Sequence, residues 1–285
     1  MVLYYPIFAG FSNLAGAGAA ACRQYARGNT AVKLEMEPPG SLRVSLQRSF
    51  GQSIMVAVMK LNADFDERVT VHAARTPWMP SPVAGVERRM LDRLGDEIAR
   101  ATTVVRFAPG SRFPAHVHKG GEEILVLDGV FQDETGDFPA GSYIRNPPES
   151  QHTPASAAGC TLFVKLWQFD LADRTHVCID TGKMPFFAAP VRAGIEIMPL
   201  FRDAREDVRI ERWPEGSTIP IDAGGGMEIF VLDGSFSEAG EIFEPMSWLR
   251  LPKTARTEVR TFEAGARVWV KQGHLAVTPQ PPAVS

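Results

Sequence analysis

Downstream of about residue 99 the apolar positions come in short runs, seldom longer than seven residues, cut by Gly, Pro and Asp. Glu123–Leu127 and Glu228–Leu232 are compact, apolar and rich in β-branched residues, and Asp-Gly follows each. Runs of this length and content predict strands. Asp-Gly predicts a hairpin turn, because both central residues of a type I′ turn need positive φ. Thr103–Phe107, Ser142–Arg145, Thr161–Phe169, Val208–Trp213 and Val268–Gln272 are further strand candidates. Helical periodicity is weak throughout.

The pattern then repeats. Phe107-Ala-Pro-Gly110-Ser-Arg-Phe-Pro114 is matched by Trp213-Pro-Glu-Gly216-Ser-Thr-Ile-Pro220, and Glu123-Ile-Leu-Val-Leu-Asp-Gly129 by Glu228-Ile-Phe-Val-Leu-Asp-Gly234. Ser142-Tyr-Ile-Arg145-Asn-Pro147 answers to Ser247-Trp-Leu-Arg250-Leu-Pro252, and Phe163-Val-Lys165 to Trp269-Val-Lys271, always at an offset of 105 or 106. Four matches in one order mark an internal duplication. The expected fold is all-β, with two similar domains of short antiparallel strands, either sandwiches or jelly-roll barrels. Boundaries fall at 59–172 and 173–276, and 277–285 is a Pro-rich tail expected to be extended and exposed.

Residues 1–58 differ: their net charge is +3, against −6 for the remainder, and they show no sustained strand or helix period. A disordered extension, a leader, and translated sequence upstream of a start at Met59 are the competing readings; the last is preferred. No Lys or Arg precedes Arg23, which makes the segment a poor secretory signal. An overall charge of −3 offers no electrostatic reason for nucleic acid or an anionic membrane as partner. Three cysteines (Cys22, Cys160, Cys178) without a CxxC pair offer neither a disulfide framework nor a thiolate zinc site. Cys160 and Cys178 are expected to be small buried groups, and the chain cytoplasmic. A small-molecule ligand and a homo-oligomer are the partners left open.

The chemistry concentrates in Gly110-x5-His116-x-His118-x3-Glu122-x6-Gly129, followed by His152. Alternate side chains of a strand share a face, so His116 and His118 can point together into a barrel. Glu122 has the same parity, and His152 lies far enough on to return on a neighbouring strand. Imidazoles with one carboxylate suit a single divalent ion such as Zn, Fe or Mn. Glu123, of opposite parity, is expected to be exposed. His72, His176 and His274 are read as surface or structural, and Arg145 and Arg250, which recur in both halves, as structural. Phe107, Tyr143 and Trp167 are read as core, with Trp213, Trp248 and Trp269 as their counterparts. No catalytic residue is assigned.

The glycine, the HxH, the glutamate and the closing glycine resemble the first motif of the cupin superfamily; Pro139-Ala-Gly141 with His152 resembles the second. The longer gap to His152, and the segment Tyr143-Ile-Arg-Asn-Pro-Pro148, are similar to the ChrR-like cupins, the cupin half of a zinc-dependent anti-sigma factor and its free-standing relatives. The resemblance implies a bicupin, two conical jelly-roll barrels in tandem. It also connects the chain to acetylacetone-cleaving dioxygenases, which hold iron(II) with three histidines. That anti-sigma factor grips its sigma partner through an N-terminal His/Cys zinc cluster. Residues 1–100 here contain only Cys22 and His72, so sigma-factor binding is unsupported.

In the second half the ligands are lost. Aligned from Pro220, His116 corresponds to Asp222 and His118 falls in Gly224–Gly226, with one residue deleted in the glycine run; Glu122 becomes Met227 and His152 becomes Thr257. The first barrel is therefore expected to bind metal and the second to be scaffold. Two functions remain open: a dioxygenase-like enzyme in which a β-dicarbonyl chelates an iron or manganese ion, or a sensory or structural zinc domain. Binding of a small carboxylate without turnover is a weaker third.

Overall fold

The computed structural model describes the backbone of three strands before residue 49, and residues 59–96 and 98–282 in full. It divides into two units, Met1–Ala57 and Val58–Ser285. In the first, Arg23–Arg27, Thr30–Glu37 and Ser41–Arg48 pair antiparallel as a three-stranded sheet. Pairing thus occurs where the sequence shows no sustained period. Residues 1–22 and 49–58, with Cys22 and most of the stretch bearing on a start at Met59, lie outside the described residues.

The second unit is two β-barrels built on an eleven-stranded and a nine-stranded sheet. The first has Glu122–Asp133 between Ser142–Asn146 and Cys160–Leu166, followed outward by Ala99–Phe107 and Val86–Gly95. The second repeats this with Met227–Glu238, Ser247–Leu251, Arg256–Gln272 and Asp207–Trp213. Two strands are exchanged. Val69–His72 precedes the first barrel but pairs with Ser247–Leu251 of the second, and Val177–Asp180 precedes the second but pairs with Ser142–Asn146 of the first. Each sheet therefore reaches across the boundary near residue 172 suggested by the repeat.

The Asp-Gly pairs do not close hairpins. Both central strands run on through them, with the register shifting between Val126 and Asp128 and between Val231 and Asp233. The bulge bends the strand from one wall of the barrel to the other. Gly129, at φ +72°, is required there: a Cβ would lie 2.1 Å from the Gly159 carbonyl oxygen. The turn-forming dipeptide thus serves a bulge rather than a chain reversal.

Alternation sends one face of each central strand into its own barrel and the other against the partner barrel. Ile124, Val126, Ile144, Leu162 and Val164 fill the first barrel. Leu125, Tyr143 and Phe163 face outward, into a shared core with Phe230, Trp248 and Trp269. Phe163 stacks on Phe230 with centroids 4.4 Å apart. Within this apolar interface lies a set of buried ion pairs related by the repeat. Lys165 Nζ donates to Glu228 at 2.5 Å, and its counterpart Lys271 to Glu123 at 2.7 Å. The Tyr143 hydroxyl and Trp248 Nε1 cap the two carboxylates at 2.7 and 3.0 Å. Arg145 and Arg250, both fully buried, pair with Glu206 at 2.6 Å and Asp92 at 3.1 Å.

Glu123 is therefore buried, contrary to the exposure its parity suggested. It does point away from the barrel interior, but the space outside is the other barrel. Burial raises its pKa, and Lys271 and Arg145 overcome that and hold it down at about 2. The structural reading of the two arginines agrees with their place here. Among the other groups, His72 bridges Ser247 and Glu241, the His274 side chain is buried against Glu228, and His176 is exposed. Phe107, Tyr143 and the three tryptophans of the second half are buried, while Trp167 is partly so. Cys160 is buried as expected; Cys178 is exposed, on an edge strand with one face uncovered. Among the described residues no helix is long and apolar enough to cross a membrane. Residues 277–282 form no strand and are largely exposed.

Candidate metal centre

The short strand His116–His118 pairs antiparallel with Ser150–His152, and its register puts His116 opposite His152. His116 and His118 flank Val117, which points outward and is 48% exposed, so both imidazoles turn inward. Lys119-Gly-Gly then reverses the chain into Glu122–Asp133. Gly121 adopts φ +76°, and a Cβ there would meet the Phe169 ring at 2.5 Å, so the turn needs glycine on both conformational and steric grounds. Glu122, first residue of the next strand, faces the same interior.

One ring nitrogen from each of His116, His118 and His152 lies within 4.8 Å of the others, the one such His/Cys/Asp/Glu cluster among the described residues. The Nε2 atoms of His118 and His152 approach to 2.8 Å. Glu122 Oε2 lies 3.2 Å from the first and 3.3 Å from the second. The structure thus brings together all four residues singled out in the sequence. Burial lowers the His118 pKa to about 4, helped by the nearby His116, and it also lowers that of His152 against the pull of Glu122. Burial raises the pKa of Glu122, opposed by His152 and His116. Two buried imidazoles are thereby kept neutral, as metal ligation requires.

Two orienting contacts escaped the sequence. His116 Nδ1 lies 2.8 Å from the Pro114 carbonyl oxygen, which fixes that nitrogen as the donor and leaves Nε2 free. His152 Nδ1 lies 3.3 Å from Asp133 Oδ2. A carboxylate or carbonyl behind a ligating imidazole sets its tautomer and raises its basicity. Nothing distinguishes Asp133 in the run Gln132-Asp-Glu-Thr; only the bend of its strand carries it back to His152.

The donor set fits a divalent ion. Glu122 Oε2 is buried with no hydrogen-bond partner, although it faces two ring nitrogens. Converging lone pairs left unsatisfied in a low-dielectric pocket are costly, and a bound cation removes that cost.

In the second barrel the register corrects the sequence alignment. Ile221 pairs with Thr257 as His116 pairs with His152, and the Gly226 amide bonds the Ala223 carbonyl as Gly121 bonds that of His118. The missing residue is therefore not in the glycine run. It lies between Arg112 and His116, where the first barrel carries an extra residue between the Arg112–Ala155 and His116–His152 pairings, while Thr218–Asp222 runs unbroken. Ile221, Ala223, Met227 and Thr257 take the four ligand positions, and the first three belong to a buried apolar cluster. Asp222, which had been matched to His116, is exposed and paired with Arg256.

The ChrR Cupin-like domain family matches residues 66–170 and again 174–276. The anti-sigma-E factor ChrR of Cereibacter sphaeroides is 39% identical over 75 residues, which are 26% of this chain and 34% of that protein's length. A proposed dioxygenase of Nostoc punctiforme superposes with a TM-score of 0.59 at 14% identity, over 82% of this chain and 89% of its own. The nickel(II) complex of the bacterial pirin YhhW from Escherichia coli gives 0.52 at 14% identity, over 72% and 98%. At such identities the structural likeness speaks for the fold, a tandem cupin. With both halves matched, the chain belongs to the ChrR Cupin-like domain family and carries that domain twice.

Proposed function

We propose that the first barrel binds one divalent metal ion through His116, His118, Glu122 and His152, and that the protein is a dioxygenase-like enzyme acting on a small β-dicarbonyl-like compound. The observation that carries this reading is the convergence of three ring nitrogens with the unpartnered Glu122 Oε2. Iron(II) or manganese(II) held there would supply O2 chemistry and two coordination positions for a chelating substrate. His116 is only half-buried, so a ligand can approach the site past it. Pro114 and Asp133 hold two of the imidazoles in place. Phe113 and Phe131 stand against His116 and His152, with centroids 5.4 and 5.9 Å apart, and restrict water on that side. The exposed rim favours a catalytic site over a structural zinc site, whose four protein ligands would close its sphere.

Elemental analysis of native protein, with oxygen uptake by iron-loaded protein presented with β-dicarbonyls, tests the reading. One iron or manganese per chain and substrate-dependent uptake are expected. Tightly held zinc with no uptake would replace the enzyme by a sensory or structural zinc domain.

A further inference from the structure

The turn that joins His118 to Glu122 carries two glycines for two different reasons. Gly121 is left-handed, whereas Gly120 lies outside the left-handed region, in backbone that any residue could adopt. What excludes a side chain at Gly120 is the indole of Trp167. A Cβ there would meet that ring at 2.1 Å, and the three atoms nearest to it all belong to the indole. Gly120 is therefore a seat for Trp167, and it is buried while the ring over it is partly so.

Trp167 sits there at a cost. It follows the strand Cys160–Leu166 and is left-handed, at φ +57°, a conformation open to glycine but unfavourable for a large side chain. Its amide bonds the Gly121 carbonyl at 3.2 Å, and two residues on the Phe169 ring lies against Gly121. One strand end, residues 167–169, thus holds the turn between two of the four candidate ligands.

The second barrel supplies an internal control. Gly273 stands where Trp167 does: it is left-handed at φ +91°, and its amide bonds the Gly226 carbonyl at 2.9 Å. Leu275 lies against Gly226 as Phe169 lies against Gly121. The strand end and its hydrogen bond therefore form with glycine and without the strain. The turn itself differs. Gly225, counterpart of Gly120, is left-handed at φ +76°, its carbonyl accepts from the Leu275 amide at 2.8 Å, and a Cβ on it would meet the Gly273 backbone at 2.9 Å. Without an indole the strand end closes onto the turn, and that turn carries Ala223 and Met227 in place of ligands.

We propose that Trp167 is a positioning residue of the metal centre: its indole, seated on Gly120, sets the turn conformation that presents His118 and Glu122 to the ion together. This rests on the metal-centre reading and adds to it a residue outside the ligand set. Two adjacent glycines give the ligand turn many conformations to lose on binding, and the indole removes them beforehand. Strain that glycine would relieve is borne in the barrel with ligands to place and is missing from the barrel that has lost them.

The test is competition between the protein and a chelator for cobalt(II), with urea denaturation of the metal-free protein alongside. Trp167→Gly copies the second barrel. It should fold cooperatively but bind cobalt(II) about 10–100-fold more weakly, the loss typical when the support behind a ligand is removed. The visible cobalt(II) absorption should change with it. Trp167→Phe, which keeps a ring on Gly120, should recover most of the affinity and the wild-type spectrum. Gly120→Ala should weaken binding in the wild type, where its Cβ meets the indole, and cost nothing further in Trp167→Gly, where that space is open. Unchanged cobalt(II) affinity and spectrum in Trp167→Gly would overturn the proposal whatever the shift in urea midpoint, since Trp167 would then serve only the fold. So would Gly120→Ala that binds cobalt(II) like the wild type, a result that holds even if Trp167→Gly fails to fold. Wild type that takes up no cobalt would sink the metal centre itself, and this inference with it.

Discussion

Lys271→Met probes the joint between the barrels. The substitution keeps an unbranched side chain of similar length but removes the ammonium that lies 2.7 Å from Glu123 and 2.9 Å from Glu206. Glu206 retains Arg145 at 2.6 Å, whereas Glu123 keeps only Tyr143 and the more distant Arg145 at 3.7 Å. Stranding one charge of a buried pair costs about 3–5 kcal/mol. For a unit of this length each kcal/mol moves Tm by about 2–4 °C, so a fall of about 6–20 °C is expected. Because the folded pKa is depressed, this stabilisation is complete above the unfolded value near 4.5 and is lost as pH falls towards 2. The gap between wild type and variant should therefore narrow on acidification. Urea denaturation at pH 7 measures it, and Glu123→Gln in the Lys271→Met background should restore part of the loss. A Lys271→Met protein within about 1 kcal/mol of wild type, or a double variant no better than the single one, would show that the pair is not carrying the joint.

Gly121→Ala forces a Cβ against Phe169 at a left-handed φ; it should destabilise the barrel by about 1–3 kcal/mol and weaken metal retention, measured by denaturation and by competition with a chelator. Ala223→His restores an imidazole at the position equivalent to His118, but inside a filled core; it should cost about 1–3 kcal/mol and add no metal, and two metals per chain would contradict it. Since burial depresses His118 to about 4, the metal-free protein should lose stability as pH falls from about 6.5 towards 4, where the unfolded chain binds a proton that the folded site refuses. Metal should hold those imidazoles unprotonated and deepen the loss; a pH-independent stability across that window would count against a buried neutral His118.

Much of this was legible in the chain because parity and offset are local properties. Glu122 faces inward because it shares the parity of Ile124 and Val126 on its own strand, and the repeat pairs Lys165 with Lys271 and Tyr143 with Trp248 without any structure. What escaped depends on partners distant in sequence. Parity turns Glu123 out of its barrel, but only the assembled pair of barrels shows that outside means buried. Asp-Gly announces positive φ at Gly129 whether the chain reverses or merely bulges, and the choice is made by Gly159 on the neighbouring strand. The deletion in the second barrel was misplaced because Pro114 and Pro220 align well by residue type, while strand register moves it upstream of the ligands.

The central claim is that four side chains of one barrel hold one metal ion, and elemental analysis of protein stripped by chelator and reloaded with iron(II) or cobalt(II) tests it most directly. Wild type should hold one ion per chain. His118→Ala and His152→Ala, each lacking a nitrogen of the closest pair, should hold far less while keeping the strand content of the wild type. Wild type that binds no metal, or variants that bind it with undiminished stoichiometry, would contradict the account.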